Sequence, residues 1–261
     1  MRIIAIVNQK GGVGKTITAI NLGVGLQRIG NRVLLADIDP QGALSAGLGV
    51  SPSSHTISDV LQKPDLPVDR AIIDTGQGPH LIPSNLELAS VEFSLMKRPG
   101  REGLLKDRLP AIARRYDYIL IDCPPSLGLL TVIALVAARE VLIPVQTEYF
   151  ALRGMDLLFN TIDNIKAKLN PELGISGILA TMYDGRTIHS REVLQELRHT
   201  YGRLVYETVI KRTIKLSDGA LDGQSIFDFR PRSEAAAAYQ SLSEEVHYGK
   251  ANRVGPTPRK G

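Results

Sequence analysis

Short apolar runs alternate along this chain with longer stretches whose apolar residues recur at helical spacing. The runs fall at 3–7, 33–38, 71–73, 81–83, 118–122, 141–145, 175–182 and 205–210, and the helical stretches at 16–29, 86–91, 103–116, 127–138, 151–169, 190–201 and 233–247. Strand and helix taking turns in this way predict an α/β fold, a single mostly parallel twisted sheet flanked by helices on both faces. No internal repeat and no linker long enough to split the chain interrupts the pattern, so one domain is expected over residues 1–248. After Tyr248 the chain turns rich in Gly, Pro, Lys and Arg, which predicts a disordered basic tail over 249–261.

The first apolar run leads directly into Asn8-Gln9-Lys10-Gly11-Gly12-Val13-Gly14-Lys15-Thr16, and the helical stretch opens at about Thr16. Strand, Gly-rich turn, Lys-Thr and helix, in that order, predict a phosphate-binding loop. Gly11, Gly12 and Gly14 let the backbone turn tightly and bring its N–H groups to anionic oxygens. Lys15 reaches terminal phosphates, the Thr16 hydroxyl suits Mg2+, and the helix points its positive end at the phosphate. One feature is anomalous. The pattern wants a glycine five residues before Gly14; Gln9 stands there, and a second lysine, Lys10, follows it.

Two further apolar runs end in acids. Asp37 and Asp39, in Asp37-Ile38-Asp39-Pro40-Gln41-Gly42, are spaced i and i+2, which in an extended chain projects them to one face. At the carboxyl end of a parallel strand that face borders the ligand crevice, so either carboxylate could orient a water or a metal-bound water. Tyr118-Ile119-Leu120-Ile121-Asp122 is a buried strand ending in one acid, which fits a second Mg2+ contact in a P-loop nucleotidase. Burying such a carboxylate unpaired costs roughly several kcal/mol, so its place calls for a cation. Cys123 reads as a small packing residue.

Composition narrows the classes. A single cysteine excludes an internal disulfide and a four-cysteine metal site within one chain. No apolar stretch approaches the ~20 residues of a membrane span, and the chain enters a strand at once, without a signal-peptide pattern, so a cytoplasmic protein is expected. The net charge is +4, yet Lys250, Arg253, Arg259 and Lys260 fall within the acid-free segment 249–261 and account for the whole excess. Any basic surface on the folded part therefore has to be argued locally.

Taken together, Lys10 to Thr16, Asp37 to Gly42 and Asp122-Cys123-Pro124-Pro125-Ser126 resemble the ParA/Soj partition ATPases, which are deviant-Walker-A proteins. The resemblance continues through Pro144-Val145-Gln146-Thr147-Glu148-Tyr149-Phe150-Ala151-Leu152, Thr181-Met182-Tyr183-Asp184-Gly185-Arg186-Thr187 and Val209 to Ser217. It implies ATP and Mg2+ as cofactors, with Lys10, Lys15 and Asp39 in catalysis. Lys10 matches the signature lysine that crosses an ATP-bound homodimer to the partner's phosphates. Asp39 matches the carboxylate that positions water, and Thr16, Asp39 and Asp122 the surroundings of the metal. With the loop from Lys10 to Ile17, Met182, Asp184, Lys211 and Arg212 fall where the family surrounds the nucleotide; a proline is common where Lys211 stands.

The same resemblance implies ATP-dependent binding of double-stranded DNA without sequence preference, association with the nucleoid, and a ParB-like partner that stimulates slow hydrolysis. Arg186 and Lys215 match basic residues used for DNA, and Arg191, Arg198, Arg203 and Arg212 extend the patch. No helix-turn-helix pattern precedes the P-loop strand, so direct operator recognition is not expected. A membrane-positioning MinD-like ATPase needs an amphipathic C-terminal anchor, which the Gly-, Pro- and charge-rich end does not offer. An iron protein of related fold needs more cysteine ligands. A non-hydrolysing, nucleotide-gated DNA scaffold and a relative that positions a protein cargo are the remaining readings.

Overall fold

Each of the eight apolar runs contributes a strand: β1 (Arg2–Ile6), β2 (Val33–Asp37), β3 (Ile73–Asp74), β4 (His80–Ile82), β5 (Tyr118–Asp122), β6 (Glu140–Gln146), β7 (Gly174–Tyr183) and β8 (Val205–Lys211). They form one sheet in the order β3-β4-β2-β5-β1-β6-β7-β8, parallel throughout except for the antiparallel edge pair β3 and β4. The computed structural model describes residues 1–51, 54–148 and 154–249. The charged tail residues Lys250, Arg253, Arg259 and Lys260, the segment Tyr149 to Leu152 and the start of the helix expected at 151–169 lie outside the described residues.

Ten helices accompany the strands among the described residues: α1 (Lys15–Arg28), α2 (Ala43–Gly47), α3 (Ile57–Gln62), α4 (Glu87–Leu95), α5 (Leu129–Ala137), α6 (Met155–Lys168), α7 (Ile188–Tyr201), α8 (Lys215–Leu221), α9 (Ile226–Phe229) and α10 (Glu234–Tyr248). The two-residue period of a strand divides them into layers. Ile3, Ala5 and Val7 enter a core shared with α3 to α7, whereas Ile4 and Ile6 enter a core shared with α1, α2, α9 and α10. With both faces covered, β2 and β5 are buried along their whole length, which is why their sequences read as unbroken apolar runs.

The expected helix at 103–116 does not form. In its place stand two 3-10 turns, Arg101–Gly103 and Leu109–Ile112, joined by further turns. Pro110 has no N–H to donate and disfavours the α conformation at Leu109, so a continuous helix is blocked. Leu105, Leu109 and Ile112 are nevertheless buried, as their spacing suggested.

The sheet is packed tightly enough to make a quantitative prediction away from the site. A Cβ added at Gly177 on β7 would lie 2.5 Å from Tyr206 Cε2 and 2.6 Å from its Cζ, against a ring that is itself fully buried. Gly177→Ala is expected to destabilise the fold by about 1–3 kcal/mol through overpacking, measured as a lowered denaturant midpoint at unchanged slope.

Candidate nucleotide site and basic cleft

β1 is flanked by β5 on one side and β6 on the other, so the carboxyl end of β1 lies at a switch in strand order, where open α/β sheets place ligands. The P-loop begins there. Gly12 (φ 73°) and Gly14 (φ 88°) adopt left-handed backbone, and Gly14 caps α1. Asn8 organises the entry: its Nδ2 donates to the Pro144 carbonyl at 2.7 Å, and its Oδ1 accepts from the Lys10 N–H at 2.9 Å. From β7, the Thr181 hydroxyl donates to the Val13 carbonyl at 2.9 Å and ties the loop to the sheet.

The two lysines of the loop point to different places. Lys15 is 7% exposed, and its Nζ donates to the Lys10 carbonyl at 3.0 Å, inside the turn. Burial lowers its pKa, while the fields of Asp122 and Asp39 work in the opposite sense. The Lys10 side chain is 44% exposed and turns outward, its Nζ 2.9 Å from Glu148 Oε2 and 3.4 Å from Gln146 Oε1. Nothing ties the Lys10 ammonium to its own glycine turn.

Below the loop, the Thr16 hydroxyl donates to Asp122 Oδ2 at 2.7 Å. Asp122 is completely buried, and its Oδ1 has no hydrogen-bond partner among the described residues. Burial, reinforced by the field of Asp37, raises the Asp122 pKa well above the ordinary carboxylate range. An orphaned buried carboxylate oxygen beside a hydroxyl is a hard-donor pair suited to a cation. No group of three or more His, Cys, Asp or Glu side chains suited to a metal occurs among the described residues. A sparse set of this kind fits Mg2+, which keeps waters and phosphate oxygens as its other ligands.

Asp37 and Asp39 have separate tasks. Asp37 lies opposite Asp122 in the sheet register and is fully buried. It accepts from the Ser45 N–H (3.0 Å), the Ser45 hydroxyl (2.8 Å) and the Asp39 N–H (3.2 Å). Burial pushes its pKa up to about 6, with those hydrogen bonds opposing the rise. It therefore shapes the turn after β2. Asp39 Oδ1 accepts from the Gln41 N–H at 3.0 Å, and no hydrogen bond joins Asp39 to Thr16 or Asp122. Its charge does act on both Lys15 and Asp122.

Beside the loop a cavity of about 280 Å³ is lined by Gly14, Ile17, Met182, Lys211, Arg212 and Leu216, among others. Five expected nucleotide residues thus meet at one hollow. Met182 has φ 52°, the one positive value outside glycine among the described residues, and such strain is typically held at functional sites. Asp184 does not line this cavity. It turns to Arg186, whose Nε and Nη2 donate to its two oxygens at 2.9 and 2.8 Å; these bonds hold its pKa down to about 2.

Asp184 belongs instead to an adjoining cleft of about 740 Å³, which also contains Arg186, Lys211, Arg212, Lys215 and Glu234. Arg186 and Lys215 are thereby brought to one surface. Arg191 and Arg198 do not line it: Arg191 donates to the Gly185 carbonyl, and Arg198 pairs with Glu207. Arg203 lies in the 3-10 turn Gly202–Leu204, also away from the cleft. Asn8, Thr181 and Ser45 shape the site without being among its expected catalytic, nucleotide or metal residues. An Asn directly after a strand is a turn signal that could have marked Asn8, whereas Thr181 and Ser45 carry no local signal.

A family model described as an AAA domain matches residues 1–175. The sporulation initiation inhibitor protein Soj of Bacillus subtilis is 45% identical over 247 residues, covering 94% of this chain and 98% of that protein. The chain belongs to the ParA/Soj family. The chromosome partitioning protein ParA of Caulobacter vibrioides is 43% identical over 250 residues, covering 94% of each chain. Among solved structures, cobyrinic acid a,c-diamide synthase from Mycobacterium smegmatis with bound ATP analogue and magnesium superposes with a TM-score of 0.84 at 38% identity, covering 98% of this chain and 99% of that one. As a ParA/Soj-family ATPase, this chain carries an eight-stranded P-loop fold. No helix among its described residues is long and apolar enough to cross a membrane.

Proposed function

We propose that the chain is an ATP-switched DNA-partition ATPase. Two copies close around ATP, each supplying Lys10 to the other's phosphates. The closed homodimer holds double-stranded DNA without sequence preference, in the cytoplasm on the nucleoid. Slow hydrolysis, stimulated by DNA and a ParB-like partner, resets it. The observation that supports this reading is the outward Lys10 ammonium, paired with Glu148 of its own chain, beside an inward Lys15: one lysine serves its own loop, and the other turns away from it.

Within the site, Lys15 and the N–H groups of 11–16 bind the phosphates, and the hollow at Ile17, Met182 and Lys211 takes the adenine ring. Thr16 and Asp122 would hold Mg2+, which supplies charge neutralisation for the phosphates when bound. Asp39 positions the attacking water. Phosphoryl transfer needs positioning and electrostatic stabilisation more than covalent help from the protein, so a lysine arriving from a second subunit makes turnover conditional on dimerisation. The reading is tested by sedimentation with ATP, ADP or no nucleotide, with and without duplex DNA. A dimer with ATP alone, and DNA association of that dimer only, is the expected result; a monomer under all conditions sinks it.

In this reading the cleft is the surface that contacts DNA. The Arg186 side chain is 90% exposed and Lys215 opens α8 at the rim. Changing both to Glu is expected to weaken binding to a random duplex about tenfold or more, and to flatten the salt dependence by close to 0.9 per lost phosphate contact. Dimerisation with ATP should persist. Unchanged affinity at moderate salt would move the DNA surface elsewhere.

A further inference from the structure

The cleft carries four cations and two carboxylates, and the carboxylates are not scattered. Asp184 holds Arg186 through two hydrogen bonds, and Glu234, the first residue of α10, is in direct contact with Lys211 Nζ. Arg212 and Lys215 make no side-chain ion pair with any described residue. Half of the cationic surface is therefore already engaged by the protein's own acids. Both pairs are solvent-facing, Lys211 and Glu234 with side chains 58% and 70% exposed. Ion pairs this exposed add little to stability. They are readily exchanged for another anion.

A phosphate backbone is such an anion, and it gains further from releasing its condensed counterions. Resting on the DNA reading above, we propose that Glu234 is an intramolecular competitor for DNA: it occupies Lys211 and keeps one phosphate-binding position of the cleft closed until a backbone phosphate displaces it. Lys211 also lines the hollow beside the P-loop, so the cation that Glu234 holds stands on the wall common to both recesses. The consequence is a deliberately moderate affinity, suited to a protein that must let go of DNA.

The test is Glu234→Gln in the full chain with Mg-ATP, read by fluorescence anisotropy on a random-sequence duplex across a salt series. Glu172→Gln is the charge-matched control: the Glu172 side chain is 74% exposed and pairs at 3.9 Å with Arg139, outside the cleft. Glu234→Gln is expected to raise affinity at low salt several-fold and to steepen the log-log salt slope by about 0.9, one additional phosphate. Glu172→Gln should do neither. Because Glu234 also favours the first turn of α10, the melting temperature is measured for both variants. Wild-type affinity and slope in Glu234→Gln, or an equal gain in Glu172→Gln, overturns the competitor role and leaves the DNA reading standing. Absence of DNA binding in the wild type and both variants, with ATP-dependent dimers intact, overturns both.

Discussion

Lys15→Ala is expected to lower ATP and ADP affinity by about 100-fold or more, measured by equilibrium dialysis or a fluorescent nucleotide. The size follows from what the ammonium does. Hydrogen bonds to charged groups contribute about 1.5–3 kcal/mol, and each 1.4 kcal/mol is a factor of ten in Kd. Lys15 is almost wholly shielded from water, so its attraction to phosphate is little screened. Burial already lowers its pKa, and an incoming phosphate would restore the stability of the charged form. Alanine also leaves the Lys10 carbonyl without its donor and removes a positive field from Asp122. A melting curve on the same samples separates loss of binding from loss of fold. Retained nucleotide affinity in a folded Lys15→Ala protein would remove the P-loop assignment, and with it the switch.

What could be read from the chain, and what could not, divides by distance along the sequence. The P-loop was legible because strand, turn, lysine and helix are contiguous, and their geometry is local. The strands were legible because parallel strands covered on both faces must be apolar throughout, as in Tyr118–Asp122. Helices α2, α3, α8 and α9 went unread because four to seven residues are too few to show a period. The Thr56 and Asp59 capping box of α3 was a local signal that the periodicity reading passed over. The 103–116 stretch misled in the opposite way: its leucines have helical spacing, and Pro110 decides the backbone. In the site, the residue types were legible and their partners were not. Asp37 and Asp39 look alike in sequence, and only the Ser45 contacts single out Asp37 as the one shaping the turn. Lys10 meets Glu148 across 138 positions and Lys211 meets Glu234 across 23, separations that no pattern in a single chain encodes.

The second large effect is expected at Asp39. Asp39→Ala should lower ATP turnover about 100- to 1,000-fold, the range found when one positioned catalytic group is removed, while ATP still binds and the dimer persists. The carboxylate stands past the end of β2 with Oδ1 occupied by the Gln41 N–H and no described partner on Oδ2. In the proposed function, one oxygen fixes the group and the other orients the attacking water. Alanine removes both functions, so Asp39→Asn is needed beside it. The amide keeps an acceptor for Gln41 but loses the charge that draws a proton from water. Turnover restored by asparagine would make Asp39 a loop-shaping residue; turnover lost in both variants places the carboxylate in the chemistry. Sedimentation supplies the independent readout: with hydrolysis blocked, the ATP dimer should accumulate and stay on DNA, where the wild type cycles off. An Asp39→Ala protein that hydrolyses ATP at the wild-type rate would take Asp39 out of the mechanism altogether.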